Sequence, residues 1–133
     1  MIYLDSSALI KMIRIEPEST GLITWLNSQP SQPLTASALV EVEVPRALRR
    51  SQPAALAGVS PVLARLNRVE MTSWVRAAAG AYPDPMLRSL DALHLATAEL
   101  LVATGQHIIA FVTYDVRLAA AATTAGLTVQ APA

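Results

Sequence analysis

The chain has 133 residues, 53% of them hydrophobic, with ten basic and ten acidic side chains and a formal net charge of zero. Length and composition fit one domain, residues 1–133, with a core buried on two sides, and exclude a disordered chain. The charge balance excludes nucleic-acid binding by bulk positive charge, the absence of cysteine excludes disulfides and thiolate metal sites, and no apolar run approaches the roughly 18 residues of a membrane span.

Ile2–Asp5 reads as a short buried strand that ends in an aspartate. No signal peptide is expected ahead of it, and the lack of cysteine suits a reducing cytoplasm. Helical spacing runs over Ala8–Ile15, Pro17 breaks it, and Glu18–Gln29 forms a second helix with Leu22, Ile23 and Leu26 on one face. The Gln29–Pro33 cluster is a loop, and Leu34–Ala36 a short strand. Ser37 is expected to cap a helix through Arg50, and Pro53 to open another to Asn67 with a kink or break at Pro61. Val69–Met71 is a candidate strand, Ser73–Ala81 a short helix, and Tyr82–Pro85 a turn. Ser89 is expected to cap a long amphipathic helix that Gly105 ends near Thr104. Ile108–Thr113 is the clearest strand, Asp115–Ala125 a helix closed by Gly126, and Leu127–Gln130 the last strand. Strands of near-continuous apolar character alternating with helices predict an α/β fold with a parallel sheet covered on both faces.

The carboxylates are few, and their places are specific. Asp5 and Asp115 follow two of these strands on the same edge of the sheet, where open α/β folds place their ligands. Asp91 lies in the first turn of the Ser89 helix. Glu41 and Glu43 share the Ser37 helix but point about 200° apart, so at most one faces a common site. Acidic side chains gathered at one crevice repel one another unless a cation joins them. An all-oxygen set suits Mg²⁺ or Mn²⁺, which in such a site promotes phosphodiester hydrolysis. Each member also has a plainer reading: Asp91 as a helix-dipole partner, Asp115 as a cap, and the Glu outside the site as a partner of Arg46, Arg49 or Arg50. Glu16, Glu18, Glu70, Asp84 and Glu99 are assigned to solvent-facing surface.

Four motifs occur in order: Tyr3-Leu4-Asp5-Ser6-Ser7-Ala8-Leu9-Ile10-Lys11, then Glu43 ahead of Arg46-Ala47-Leu48-Arg49-Arg50, then Leu90-Asp91-Ala92-Leu93-His94-Leu95-Ala96-Thr97-Ala98, then Val112-Thr113-Tyr114-Asp115-Val116-Arg117-Leu118. With this order the chain resembles the PIN-domain nucleases, and more closely the VapC toxins of bacterial type II toxin–antitoxin pairs. The resemblance covers essentially the whole chain. It implies an α/β/α sandwich around a parallel sheet of four to five strands, and a ribonuclease dependent on Mg²⁺, with Mn²⁺ as substitute. It carries Asp5, Glu43, Asp91 and Asp115 into the acidic set that holds one or two metal ions. Ser6 falls on the hydroxyl position near the metal, and Thr113 on the hydroxyl position two before the last acidic residue. It further implies RNA as substrate, a VapB-like antitoxin as inhibitor, homodimers or toxin–antitoxin hetero-oligomers, and operator DNA bound only through the antitoxin. A catalytically silent binding module, a PIN nuclease for RNA processing and a receiver-like signalling domain are the rival readings.

Two departures from the family pattern stand out. Glu41 competes with Glu43, which is preferred for its spacing to Arg46. Pro45, unusual there, should kink the helix by removing a hydrogen bond to the Glu41 carbonyl. Elsewhere, His94 reads as a metal ligand or base or, better, as a core-edge histidine with one hydrogen bond, and His107 as surface. Trp25 and Trp74 are expected in core or dimer packing. Lys11, Arg14, Arg46, Arg49, Arg50, Arg88 and Arg117 are candidates to guide an RNA backbone.

Overall fold

Two apolar triplets, Ile2–Leu4 (β1) and Ala110–Val112 (β4), pair in parallel at the centre of the sheet, with Leu4 opposite Val112. Both are buried along their whole length, which is what their lack of polar alternation requires. The computed structural model describes every residue from Met1 to Ala133. Leu34–Ser37 (β2), Leu66–Val69 (β3) and Val129–Gln130 (β5) complete a five-stranded, all-parallel sheet of order β3-β2-β1-β4-β5. This order differs from the 2-1-3-4-5 order of a receiver domain. Seven α-helices connect and cover the strands: α1 (Ser6–Ile13), α2 (Ser19–Asn27), α3 (Val40–Ser51), α4 (Val59–Leu63), α5 (Ser73–Ala81), α6 (Ser89–Ala103) and α7 (Val116–Thr124). The fold is the predicted α/β sandwich, and no helix is long and apolar enough to cross a membrane.

Side-chain alternation along the strands divides the core. Ile2, Leu4, Ala110 and Val112 face a cluster that includes Leu9, Leu22, Val44, Leu48 and Leu63, from α1 to α4. Tyr3 and Phe111 face the other way, among Leu95, Ala98, Leu118 and Ala122 of α6 and α7. The Tyr3 and Phe111 rings stack with centroids 5.0 Å apart and planes 4° from parallel.

Several boundaries differ from expectation. Ser37 ends β2 instead of capping a helix, because pairing with β3 extends to Ser37 opposite Val69; its Oγ accepts from the Leu39 amide, and α3 begins at Val40. The stretch opened by Pro53 is a 3-10 turn (Pro53–Gly58) followed by the short α4, and β3 starts at Leu66, ahead of the expected Val69–Met71. β3 is an edge strand with Asn67 and Arg68 exposed, so it lacks the apolar run by which a buried strand is recognised. The N-cap of α6 is Arg88, not Ser89, and it makes no side-chain cap bond. Pro45 lies inside α3, which continues through it as one helix.

Candidate active site

The strand order reverses between β1 and β4: β2 and β3 lie on one side of β1, and the chain then crosses to build β4 and β5 on the other. Ligand crevices of open α/β sheets form at this point, beyond the carboxyl ends of the strands. Asp5 follows β1 directly and Thr113 follows β4. Their side chains meet, with Thr113 Oγ1 donating to Asp5 Oδ2 at 2.6 Å. The other carboxylate oxygen, Oδ1, accepts from Ser7 Oγ (2.6 Å) and from the Ala8 amide (2.9 Å), so Asp5 is also the N-cap of α1. Ser7 Oγ in turn accepts from the Tyr114 amide, and Thr113 Oγ1 from the Asp115 amide. Asp5 is thereby clamped between two strand ends and a helix start. Burial pushes its carboxyl above the usual range, opposed by the nearby His94 and by the Ser7, Thr113 and Ala8 hydrogen bonds.

Asp115 caps α7 through the Leu118 amide, which accounts for Oδ1 and leaves Oδ2 free of that duty. Its capping role and its place beside Asp5 are compatible. Asp91, in the first turn of α6, takes part in none of the five ion pairs. Burial raises its carboxyl pKa, and the Asp115, Asp5 and Glu43 charges raise it further, while His94 acts against them. Asp91 and Asp115 line one cleft, and Asp5 is joined to the Asp115 backbone through Thr113.

Of the two glutamates on α3, Glu43 turns inward. Its Oε1 accepts from His94 Nε2 at 2.7 Å and its Oε2 from Ser6 Oγ at 3.3 Å. Glu41 is exposed and pairs with Arg68 of β3 at 3.4 Å, not with an arginine of its own helix. His94 is a core residue with two side-chain hydrogen bonds where one was expected, the second joining Nδ1 to the Tyr3 hydroxyl at 2.9 Å. Lys11 is committed to Glu16 (3.2 Å) and Glu18 (2.9 Å) and lies over the Tyr114 ring, so its charge is spent locally, and Glu16 and Glu18 are not free surface. Glu99 likewise accepts a hydrogen bond from Tyr82. Arg14 is tied to Glu16 and Ser51, whereas Arg88 and Arg117 line a cleft of about 260 Å³ with Asp91, Asp115 and Val116. Trp25 packs against the larger core cluster, while Trp74 is half exposed.

The PIN-domain family model matches residues 2–123. This chain belongs to the PIN-domain family. Among curated proteins it is 50% identical to Ribonuclease VapC35 of Mycobacterium tuberculosis over 132 residues, 99% of this chain and 97% of that one. Among solved structures it superposes on M. tuberculosis VapC20, described as a sarcin-ricin loop cleaving toxin, with a TM-score of 0.75 at 16% identity, over 99% of this chain and all of that one. It also superposes on VapBC2 of Rickettsia felis bound to a DNA fragment from its promoter, with a TM-score of 0.73 at 15% identity, over the full length of both chains. In this PIN-domain protein of VapC type both hydroxyls after Asp5 engage carboxylates: Ser6, the expected one, reaches Glu43, and Ser7, which sequence reasoning did not single out, bonds Asp5 directly. The signal for Ser7 was its position two after an aspartate at a strand-to-helix turn, where a hydroxyl can reach back to the carboxylate.

The donor set fits a hard divalent cation in its chemistry. It is made of carboxylate and hydroxyl oxygens, and the like-charge crowding on Asp91 is the kind of strain a cation relieves. In this structure no three acidic or imidazole side chains converge closely enough on one point to coordinate an ion. The fit therefore rests on donor type and electrostatics.

Proposed function

We propose that this protein is the ribonuclease toxin of a toxin–antitoxin pair, hydrolysing RNA phosphodiester bonds with Mg²⁺ or Mn²⁺ held by Asp5, Glu43, Asp91 and Asp115. The observation that supports this reading is the Asp5–Thr113–Asp115 cluster at the switch point of the sheet, with Asp91 lining the same cleft as Asp115. The 50% identity to a VapC ribonuclease supports RNA as the substrate. The likeness to a VapBC complex on promoter DNA supports a VapB-like antitoxin as inhibitor, with operator DNA contacted through that antitoxin. Homodimers, or hetero-oligomers with the antitoxin, complete the assembly, which acts in the cytoplasm.

When bound, a divalent ion supplies electrophilic charge at the phosphate and lowers the pKa of a water. The protein supplies position. Ser7, the Ala8 amide and Thr113 hold the Asp5 carboxylate in one orientation, and Thr113 locks Asp115 to it through the Asp115 amide. Asp91 faces them from α6, and Glu43 closes the set from α3.

Arg88 and Arg117 sit at the N-termini of α6 and α7, the wrong ends of those helices for a cation. Helix stability gives no reason for them; an RNA phosphate beside Asp91 and Asp115 does. Arg88→Gln and Arg117→Gln should each raise KM with little change in thermal stability. Each should also flatten the dependence of log KM on log salt by about 0.7 per lost phosphate contact. Unchanged salt slopes in both variants would remove these residues from the substrate path.

The reading is tested by incubating purified protein with tRNA, rRNA fragments and single-stranded RNA in Mg²⁺, in Mn²⁺ and in EDTA. Cleavage that requires the ion is expected. A folded protein that neither cleaves nor binds Mn²⁺ would instead be a silent binding module.

A further inference from the structure

His94 links the acidic crevice to the middle of the core. It projects from α6 one turn after Asp91, is 1% exposed, and bridges the Tyr3 hydroxyl of β1 to the Glu43 carboxylate of α3. Ser6 of α1 then meets the other oxygen of Glu43. One chain of hydrogen bonds thus runs through β1, α6, α3 and α1. A histidine buried only for packing needs one or two backbone or hydroxyl partners. This one spends Nε2 on a carboxylate that lies at the crevice and could otherwise turn towards solvent.

We infer that His94 is a positioning residue for Glu43, holding its carboxylate by an Nε2–H bond to Oε1 and leaving the Oε2 edge, beside Ser6, as the face offered to a ligand. The direction of each bond follows from the inventory of donors. An ionised carboxylate only accepts, so Nε2 must carry a hydrogen. With Nε2 carrying the hydrogen, Nδ1 is an acceptor, and the Tyr3 hydroxyl 2.9 Å away donates to it, which favours that tautomer. Tyr3 is itself fixed by its stack on Phe111. The orientation of an exposed-edge carboxylate is in this way set from the hydrophobic core, as ligand side chains are commonly held by a hydrogen-bonded neighbour behind them.

The inference rests on Glu43 belonging to the metal-holding set, so its test has readouts that do not need cleavage. In ¹⁵N NMR of the wild-type protein, His94 Nε2 should be protonated and its signal should move in Glu43→Gln; a bare Nε2 overturns the inference. Mn²⁺ binding to RNA-free protein, followed by electron paramagnetic resonance, should weaken about 10–100-fold in His94→Leu. His94→Gln, which keeps an N–H near the position of Nε2, should recover most of that loss. For RNA cleavage, His94→Leu should lower kcat with little change in KM. Wild-type Mn²⁺ affinity and kcat in folded His94→Leu would overturn the assignment. Should His94→Leu fail to fold, Tyr3→Phe decides: it should disturb the Nε2 signal and weaken Mn²⁺ binding, and leaving both unchanged counts against the relay. A wild-type protein that binds no Mn²⁺ refutes the metal reading itself, while the NMR result still reports on the His94–Glu43 bond.

Discussion

Asp5→Asn should abolish RNA cleavage, by about 10²–10³-fold or more, the size of effect seen when one preorganised charge-stabilising group is lost, while leaving the fold intact. The isostere can keep most of the local bonding: its carbonyl oxygen can accept from Ser7 and from the Ala8 amide as Asp5 Oδ1 does. Asparagine is as good an N-cap as aspartate, whereas alanine would cost about 1 kcal/mol by losing the cap. The new amide faces Thr113, whose hydroxyl must turn from donor to acceptor. What disappears is the charge. Burial raises the Asp5 carboxyl pKa in the folded protein, so its contribution to stability is present below the unfolded pKa and is lost as pH rises through the folded one. At neutral pH the buried charge is therefore a net cost to the metal-free protein. Metal-free Asp5→Asn should melt at or above the wild-type temperature at pH 7, with that advantage gone below about pH 4. Added Mn²⁺ should raise the wild-type melting temperature and not that of the variant. A variant that cleaves RNA at the wild-type rate would remove Asp5 from the site.

The largest stability effect is expected at Phe111. Its ring is fully buried on β4, stacked on Tyr3 and enclosed by side chains of α6 and α7. Phe111→Ala should cost about 3–5 kcal/mol through lost burial and the cavity left behind. That is a large part of the roughly 5–15 kcal/mol that holds a domain folded. At about 4 °C per kcal/mol, the midpoint of a thermal melt should fall by roughly 10–20 °C. Phe111→Leu, closer in volume, should lose much less. A fall of only a few degrees in the alanine variant would mean that the helices collapse onto the gap and that Phe111 is not the support it looks to be.

The parts of this protein that were legible in sequence are those written in contiguous residues. Ile2–Asp5 and Val112–Asp115 each combine an apolar run, a stop and a capping aspartate, and period and cap agree there. Helix geometry allows only one of Glu41 and Glu43 to face a common site and does not say which; the spacing of Glu43 to Arg46 favours it, and the structure sends Glu41 to Arg68 and Glu43 to His94. The failures have a different cause. β3 was displaced because an edge strand with two exposed polar residues lacks the apolar signature. Ser37 and Ser89 have the residue type of helix caps, but strand pairing claims Ser37 and Arg88 occupies the N-cap of α6. The relay through His94 was out of reach, since its partners are 91 and 51 residues away in the chain. A hint existed even so: a tyrosine inside a fully buried strand must find a partner for its hydroxyl, and a histidine amid the apolar face of a helix is a natural one.

The site's dependence on the pairing of β1 with β4 also bears on how the protein is made. Asp5 and Thr113 touch across a sequence separation of 108 residues, and Asp115 lies later still. Contacts of such long range carry a heavy loop-closure cost and form late. On the ribosome, the first four helices and their strands can begin to pack while the residues that complete the crevice are still unmade. Whatever chemistry the crevice performs is therefore absent through most of the chain's own synthesis, because Thr113 and Asp115 reach Asp5 only when nearly the whole chain is available to fold.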